Sequence, residues 1–260
     1  MSITLRHAAA CYQAPDGEVE AVRDVSFTVE EGAFVSLVGP SGCGKSTLLS
    51  AIAGLEPLSG GAIEIDGRAV QGTSLKIGFM PQRDQLFEWR NIWDNVTLGL
   101  TVRGEKDPAA YAHVSRLLER YGLASFAKKR PCQLSGGMRQ RCALIRTLAA
   151  DPRILLLGVP GNCDYGGLDQ PERLTELGGV RILMMHGHTR HVKSGPMAAI
   201  YAARECGADI LLFGHTHQPL VDRSGDFWVM NPGCIGPSVR RTYGVITLED
   251  GKVDCAAFRL

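Results

Sequence analysis

Apolar residues in this chain fall into short runs with two different periods. Val22–Val29 and Ala33–Val38 are rich in Val, Phe and Ala, and Glu30-Glu31-Gly32 between them predicts a turn joining two strands. In Ser46–Ala53, Leu48, Leu49 and Ile52 stand at helical spacing. Ala62–Asp66 and Lys76–Met80 predict further short strands. Asp107-Pro108 is a capping residue followed by proline at the first helical position, and Val114, Leu117, Leu118 and Tyr121 give that helix one apolar face. Another helix runs from about Ser135 to Ala150 and is stopped by Asp151-Pro152. Ile154–Leu157 is wholly apolar, a strand suited to the middle of a parallel sheet.

After Leu157 the pattern changes. Gly158-Val159-Pro160-Gly161 breaks the strand, and residues 164–179 are polar and predict a loop. A strand Arg181–Met185, a helix Met197–Cys206 and a strand Asp209–Phe213 follow; a crossover of this kind makes the two strands parallel. Phe227–Met230, Tyr243–Leu248 and Lys252–Phe258 predict antiparallel strands, the last two joined at Asp250-Gly251. The pattern divides the chain at Leu157/Gly158 into residues 1–157 and 158–260, both α/β.

Composition narrows the function classes. With 45% hydrophobic and 21% charged residues in 260, the chain is an ordinary globular one. A net charge of +1 gives no basic surplus for a nucleic-acid groove. The sequence predicts no membrane insertion and no signal peptide, and eight cysteines without a CxxC point to a reduced, cytoplasmic compartment. The histidines are lopsided: five of seven lie between His186 and His217.

The front part carries Gly39-Pro40-Ser41-Gly42-Cys43-Gly44-Lys45-Ser46-Thr47, a GxxxxGK[ST] phosphate loop between an apolar strand and an apolar helix. The glycines turn backbone N–H groups inward around a phosphate, Lys45 supplies charge to the β- and γ-phosphates, and Ser46 can hold Mg²⁺. Leu134-Ser135-Gly136-Gly137-Met138-Arg139-Gln140-Arg141 opens a helix and offers a second anion-binding end. Gln82, after the strand ending at Met80, can orient water or metal at the phosphate. On these motifs residues 1–157 resemble an ATP-binding subunit of an ABC transporter, of the nitrate, sulfonate or thiamine-precursor importer type, which has a stretch similar to Met80–Leu100 with Trp89-Arg90-Asn91.

The resemblance implies a P-loop NTPase core that binds ATP and Mg²⁺ through Gly39, Ser41, Gly42, Gly44, Lys45, Ser46, Thr47 and Gln82, with Tyr12 stacked on the adenine. It implies a signature at Ser135, Gly136, Gly137 and Met138, where Met138 replaces the usual Gln. It also implies a second ATPase subunit and membrane subunits as partners, at the inner face of the membrane. In that family the strand Ile154–Leu157 would run into a Mg²⁺-binding Asp and a water-activating Glu; here it runs into Gly158-Val159-Pro160. Asn162-Cys163-Asp164-Tyr165-Gly166-Gly167-Leu168-Asp169 imitates the missing segment, but with Asn and Cys at the two catalytic positions. In-line hydrolysis needs both lost groups.

The back part places His186-Gly187-His188 and Gly214-His215-Thr216-His217 after two strands expected to be parallel, so both clusters reach the edge where ligand sites form in such sheets. His215 and His217 can both point into one site. Together with Gly161-Asn162-Cys163-Asp164 and Asn231-Pro232-Gly233, these motifs resemble the second part of a small calcineurin-like metallophosphoesterase. That resemblance implies Asn162, His186 and His215 on one metal and His217 on another, the ions being Mn²⁺, Fe or Zn²⁺. The Asp-x-His and Gly-Asp elements of that family are missing from residues 1–157, so the ligand set is incomplete.

The expected architecture is therefore a truncated ABC ATPase core joined to a truncated phosphoesterase α/β sandwich. Strands Arg181–Met185 and Ile210–Phe213 are available to pair beside Ile154–Leu157, with marginal stability and exposed sheet edges. Three readings of function follow: a chimera completing neither hydrolysis, an importer ATP-binding subunit with a new tail, or a phosphodiesterase completed by another chain.

Overall fold

The computed structural model describes residues 2–14, 17–39, 42–159, 172–235, 241–249 and 252–259. In chain order the described elements are β1 (Ile3–Ala14), β2 (Gly17–Val29), β3 (Ala33–Ser36), α1 (Lys45–Ile52), β4 (Gly60–Ile65), β5 (Arg68–Ala69), β6 (Ile77–Met80), α2 (Ile92–Val96), α3 (Leu98–Val102), α4 (Pro108–Arg120), α5 (Gly136–Leu148) and β7 (Ile154–Leu157). They continue with β8 (Glu172–Leu177), β9 (Val180–Met185), α6 (Met197–Glu205), β10 (Ile210–Phe213), β11 (Pro219–Ser224), β12 (Phe227–Pro232), β13 (Thr242–Glu249) and β14 (Lys252–Arg259). The fold is α/β, as the sequence predicts. Its contacts form two compact units: one from residues 2–72 with 172–259, the other from residues 73–159.

The first unit holds three sheets. One has the order β2-β1-β4-β5, and a second, β11-β12-β10-β9-β8, carries β9, β10 and β12 in parallel. The third has the order β14-β13-β3. There β3, the strand leading to the phosphate loop, pairs antiparallel with β13, setting Phe34 against Ile246 and Val35 against Val245. Strands from the two ends of the chain thus share one sheet, reinforced by Phe27 stacking on Tyr243 at 5.4 Å and by Arg241 Nη1 donating to the Arg23 carbonyl at 3.1 Å. Helix α6 buries Ala199, Ala202 and Ala203 on the face formed by Leu183, Leu211 and Val229. Small residues let its backbone approach the sheet closely.

The second unit is built from consecutive sequence. Asp107 caps α4, its Oδ1 accepting from Ala109 N at 2.9 Å, and Val114, Leu117 and Leu118 face the core as their spacing predicts. That core joins them to Ile92, Val96, Leu100, Leu144 and Ile145. Fully buried Asn95 stitches the preceding segment down: Oδ1 accepts from Phe87 N at 2.7 Å, and Nδ2 donates to the carbonyls of Phe87, Arg90 and Asn91. A buried amide with this many partners fixes one loop conformation.

Four expectations are corrected. Ile154–Leu157 does not pair with the strands Arg181–Met185 and Ile210–Phe213. Its described neighbour is β6, parallel, with Ile77 opposite Ile154 and Met80 opposite Leu157. Residues expected as a polar loop include the strand β8, antiparallel to β9. Ile3–Ala14, for which no strand is predicted, is β1, the centre of the first sheet. Finally, β12 is parallel to β10 and antiparallel only to β11, whereas β13 and β14 form the expected antiparallel pair.

Candidate functional site

The phosphate loop leads from β3 into α1 through two glycines in the left-handed region, Gly42 and Gly44 at φ 80° and 86°. Gly44 is the N-cap of α1, and a side chain there would run into the Ala21 carbonyl. Only glycine meets both demands. Leu48, Ala51 and Ile52 anchor the helix inward, and the exposed end presents Lys45 and Ser46, with Thr47 half-buried behind them. Lys45 Nζ donates to the Gly39 carbonyl at 2.7 Å and to Cys43 Sγ at 3.4 Å, so its ammonium curls over the loop it would share with a phosphate. Ser41 lies outside the described residues. Tyr12 stands exposed on β1, paired with Val19 of β2.

The histidine clusters belong to this same unit. Their strands run parallel as expected, Ile210 opposite Ile182 and Phe213 opposite Met185, and Gly214 N donates to the His186 carbonyl at 3.2 Å. The His186 and His215 rings lie 4.8 Å apart, and Nδ1 of His186 is 3.1 Å from Nδ1 of His188. His215 and His217 hold left-handed backbone at φ 67° and 59°. Asn231, fully buried, clamps that turn: its Nδ2 donates to the Gly214 carbonyl at 3.1 Å and to Thr216 Oγ1 at 2.9 Å, and its Oδ1 accepts from Gly233 N. Costly backbone held by a buried clamp is typical of functional turns.

Burial holds the His215 imidazole below its ordinary pKa, with Lys193, His188 and His217 adding to the effect. His217 is lowered by burial first, then by Lys193 and Lys45. Both shifts favour neutral imidazole, the form that binds metals or donates a single N–H. Of the expected metal ligands, His186 and His215 come together, while Asn162 lies outside the described residues. Among the described residues no three His, Cys, Asp or Glu side chains are grouped to hold a metal ion.

The strand before the phosphate loop and the ends of the histidine strands touch. Ile235 N donates to the Val38 carbonyl at 2.8 Å, and a side chain at Gly214 would meet Val38 Cγ1 at 2.6 Å. Asn231 as a clamp and Lys193 as a neighbouring charge were missed by sequence reasoning. The Asn-Pro-Gly run signalled the first; nothing in the pattern signalled the second.

In the second unit, Ser135 caps α5, its Oγ accepting from Met138 N at 3.4 Å, so Gly136, Gly137 and Met138 form the first turn as expected. Gln140 Nε2 donates to the Gln82 carbonyl at 3.4 Å, and Arg139 lies 3.1 Å from the Asp84 carboxylate. Gly158, at the end of β7, lies against Gln82: a side chain there would stand 3.1 Å from Gln82 N. Trp89, 71% exposed, stacks on Phe87 at 4.7 Å.

Comparison with known proteins fits both sets of motifs. A family model described as ABC transporter matches residues 22–160, and one described as a calcineurin-like phosphoesterase superfamily domain matches residues 140–251. The chain is 47% identical over 169 residues to the uncharacterized ABC transporter ATP-binding protein YtlC of Bacillus subtilis, covering 65% of this chain and 64% of that protein. It is 46% identical over 168 residues to the taurine import ATP-binding protein TauB of Rhizobium johnstonii, covering 64% and 63%. The chain thus spans slightly less than two thirds of these relatives. Among solved structures it resembles the dimeric, ADP- and Pi-bound ATP-binding cassette MJ0796, with a TM-score of 0.57 at 26% identity over 82% of this chain and 88% of that one. No helix among the described residues is long and apolar enough to cross a membrane. With the first family model spanning more than half of the sequence, the chain belongs to the ABC transporter family, through its ATP-binding domain.

Proposed function

We propose that residues 1–157 are the ATP- and Mg²⁺-binding part of an importer-type ABC ATPase, joined to the closing part of a calcineurin-like phosphoesterase, residues 158–260. The chain binds nucleotide and completes neither hydrolysis. One observation carries this reading: a complete phosphate loop coexists with a strand end, Leu157-Gly158-Val159, that has no carboxylate. Gly39, Ser41, Gly42 and Gly44 give backbone amides to the phosphates, Lys45 and Thr47 bind beside them, and Ser46 and Gln82 face the Mg²⁺. Tyr12 stacks on the base. The donor set suits Mg²⁺·ATP binding, but without an Asp and a Glu at positions 158 and 159 no group activates water.

Two family models that meet within residues 140–160 support the join. Relatives named for taurine and aliphatic sulfonate import support an organosulfonate importer as the origin of the front part. The partners of that origin are a second ATPase subunit, facing Ser135–Met138, and membrane subunits. In the back part Asn162, His186, His215 and His217 hold at most one Mn²⁺, Fe or Zn²⁺ ion weakly.

Titration calorimetry with Mg²⁺·ATP tests the reading. Binding is expected, lost in Lys45→Ala, with phosphate release at background. ATP turnover that Lys45→Ala abolishes would refute the incomplete site. Hydrolysis of an aryl phosphodiester with Mn²⁺, abolished by His215→Ala, would favour the phosphodiesterase reading. The tryptic peptide Ile154–Arg173 spans the join, and finding it in cells carrying the gene establishes the fusion as a natural product.

A further inference from the structure

The groups bordering the phosphate loop come from both ends of the chain. Val38, one residue before Gly39, is contacted by Ile235 after β12 and by Gly214 after β10, which brings the His215–His217 turn to the loop. Lys45 acts on His217, and Lys193 acts on both His215 and His217. Among the described residues, every charged group that shifts either imidazole is itself a base. Bases gathered in this way repel one another until an anion sits among them. The turn carrying two of them keeps its left-handed backbone because Asn231 clamps it, so the gathering is built into the fold.

We propose that the phosphate loop and the His215–His217 turn form one polyphosphate site, in which the loop amides and Lys45 take the inner phosphoryl groups and His217 with Lys193 takes the terminal one. This rests on reading Gly39–Thr47 as a nucleotide phosphate loop. The ligand class is three linked phosphates, carried either by a nucleoside triphosphate or by inorganic tripolyphosphate. His217 donates an imidazole N–H and Lys193 an ammonium; no bond is made or broken. A diphosphate does not reach them, so the back part sets a preference for triphosphate over diphosphate.

Calorimetry on the full chain with ATP, ADP and inorganic tripolyphosphate, each with Mg²⁺, tests this. Lys193 is exposed, so Lys193→Gln leaves folding intact, whereas His217→Ala is checked by its circular dichroism. Each variant is expected to weaken ATP binding about tenfold and ADP binding less than twofold, the loss of one charge-assisted hydrogen bond to the terminal group. Tripolyphosphate binding as tightly as ATP assigns the site to inorganic polyphosphate, and weaker binding assigns it to nucleotide; either supports the site if the variants lose it. Unchanged ATP affinity in both variants overturns the shared site while leaving the phosphate loop standing. So do equal losses for ATP and ADP. Failure of the unsubstituted chain to bind ATP, ADP and tripolyphosphate overturns the phosphate-loop reading itself.

Discussion

Residues 73–159 and the remaining described residues meet the same packing requirement by different routes. The first group draws its core from consecutive helices, Ile92 and Val96 packing on Leu144 and Ile145 within one stretch of chain. The second draws on both chain ends, and β3 takes its strand partner from β13. A segment whose partners are near in sequence keeps its packing whatever follows it. A strand whose partners lie beyond a join takes the partners it is given, and an edge with unpaired backbone groups is strong enough a demand to recruit them.

The largest test strikes the two cores separately. Ile246→Ala, at the centre of the seam between β3 and β14, and Ile145→Ala each remove a fully buried side chain at a cost of about 2–5 kcal/mol. Trp228 reports the unit containing Ile246, and Trp93 the unit containing Ile145. Denaturation is expected to shift mainly at Trp228 for the first variant and mainly at Trp93 for the second. Equal shifts at both probes in both variants would show that the two units unfold as one, and would break the comparison.

A smaller effect contrasts the two buried amides. Asn95→Ala removes the hydrogen bonds that hold Phe87–Asn91, and Asn231→Ala removes the clamp on the histidine turn, each at about 1–3 kcal/mol. The first is expected to speed tryptic cleavage at Arg90 without touching nucleotide binding. The second is expected to weaken ATP binding by releasing His217 while cleavage at Arg90 stays unchanged. Reversed outcomes would misplace the function of both residues.

The smallest effect is common to the two units. Burial pushes the thiols of Cys142 and Cys255 up to about 12, from an ordinary value of 9.0. Each folded thiol stays neutral where the unfolded one ionises, so its contribution is present below about pH 9 and lost as pH rises toward 12. Between pH 9 and 10 the loss is about 1 kcal/mol per thiol. Urea titrations across that range, read at Trp93 and Trp228, should show similar slopes; Cys142→Ala should flatten the slope at Trp93 alone.

Much of this was legible in the chain. The cap and spacing of α4, the first turn of α5, the phosphate loop and the parallel pairing of β9 with β10 follow from Asp107-Pro108, Ser135, Gly44-Lys45 and two apolar runs around a helix. What escaped notice did so for physical reasons. Register shifts between Leu5 and Cys11, and left-handed backbone at His7, break the alternation of β1, and its inward positions Ala8 and Ala10 are small. In β8 the buried alternation is carried by Arg173 and Thr175, so a hydrophobic pattern cannot show it. The neighbour of β7 could not be read from Ile154–Leu157, because an apolar run specifies burial and not a partner. In the site, His186 and His215 converge as their topology predicts, whereas Lys193 joins them only through the folded loop after β9.

The pairing of β3 with β13 has a consequence for synthesis. Some two hundred residues separate Ser36 from its partner Gly244, so at roughly 5–20 residues per second the strand beside the phosphate loop waits about 10–40 seconds for its neighbour. During that interval β1, β2 and β4 can form their own sheet, while Ala33–Ser36 stays available to the β3 of another nascent chain. Expression yield should therefore depend on how fast the ribosome reaches Thr242.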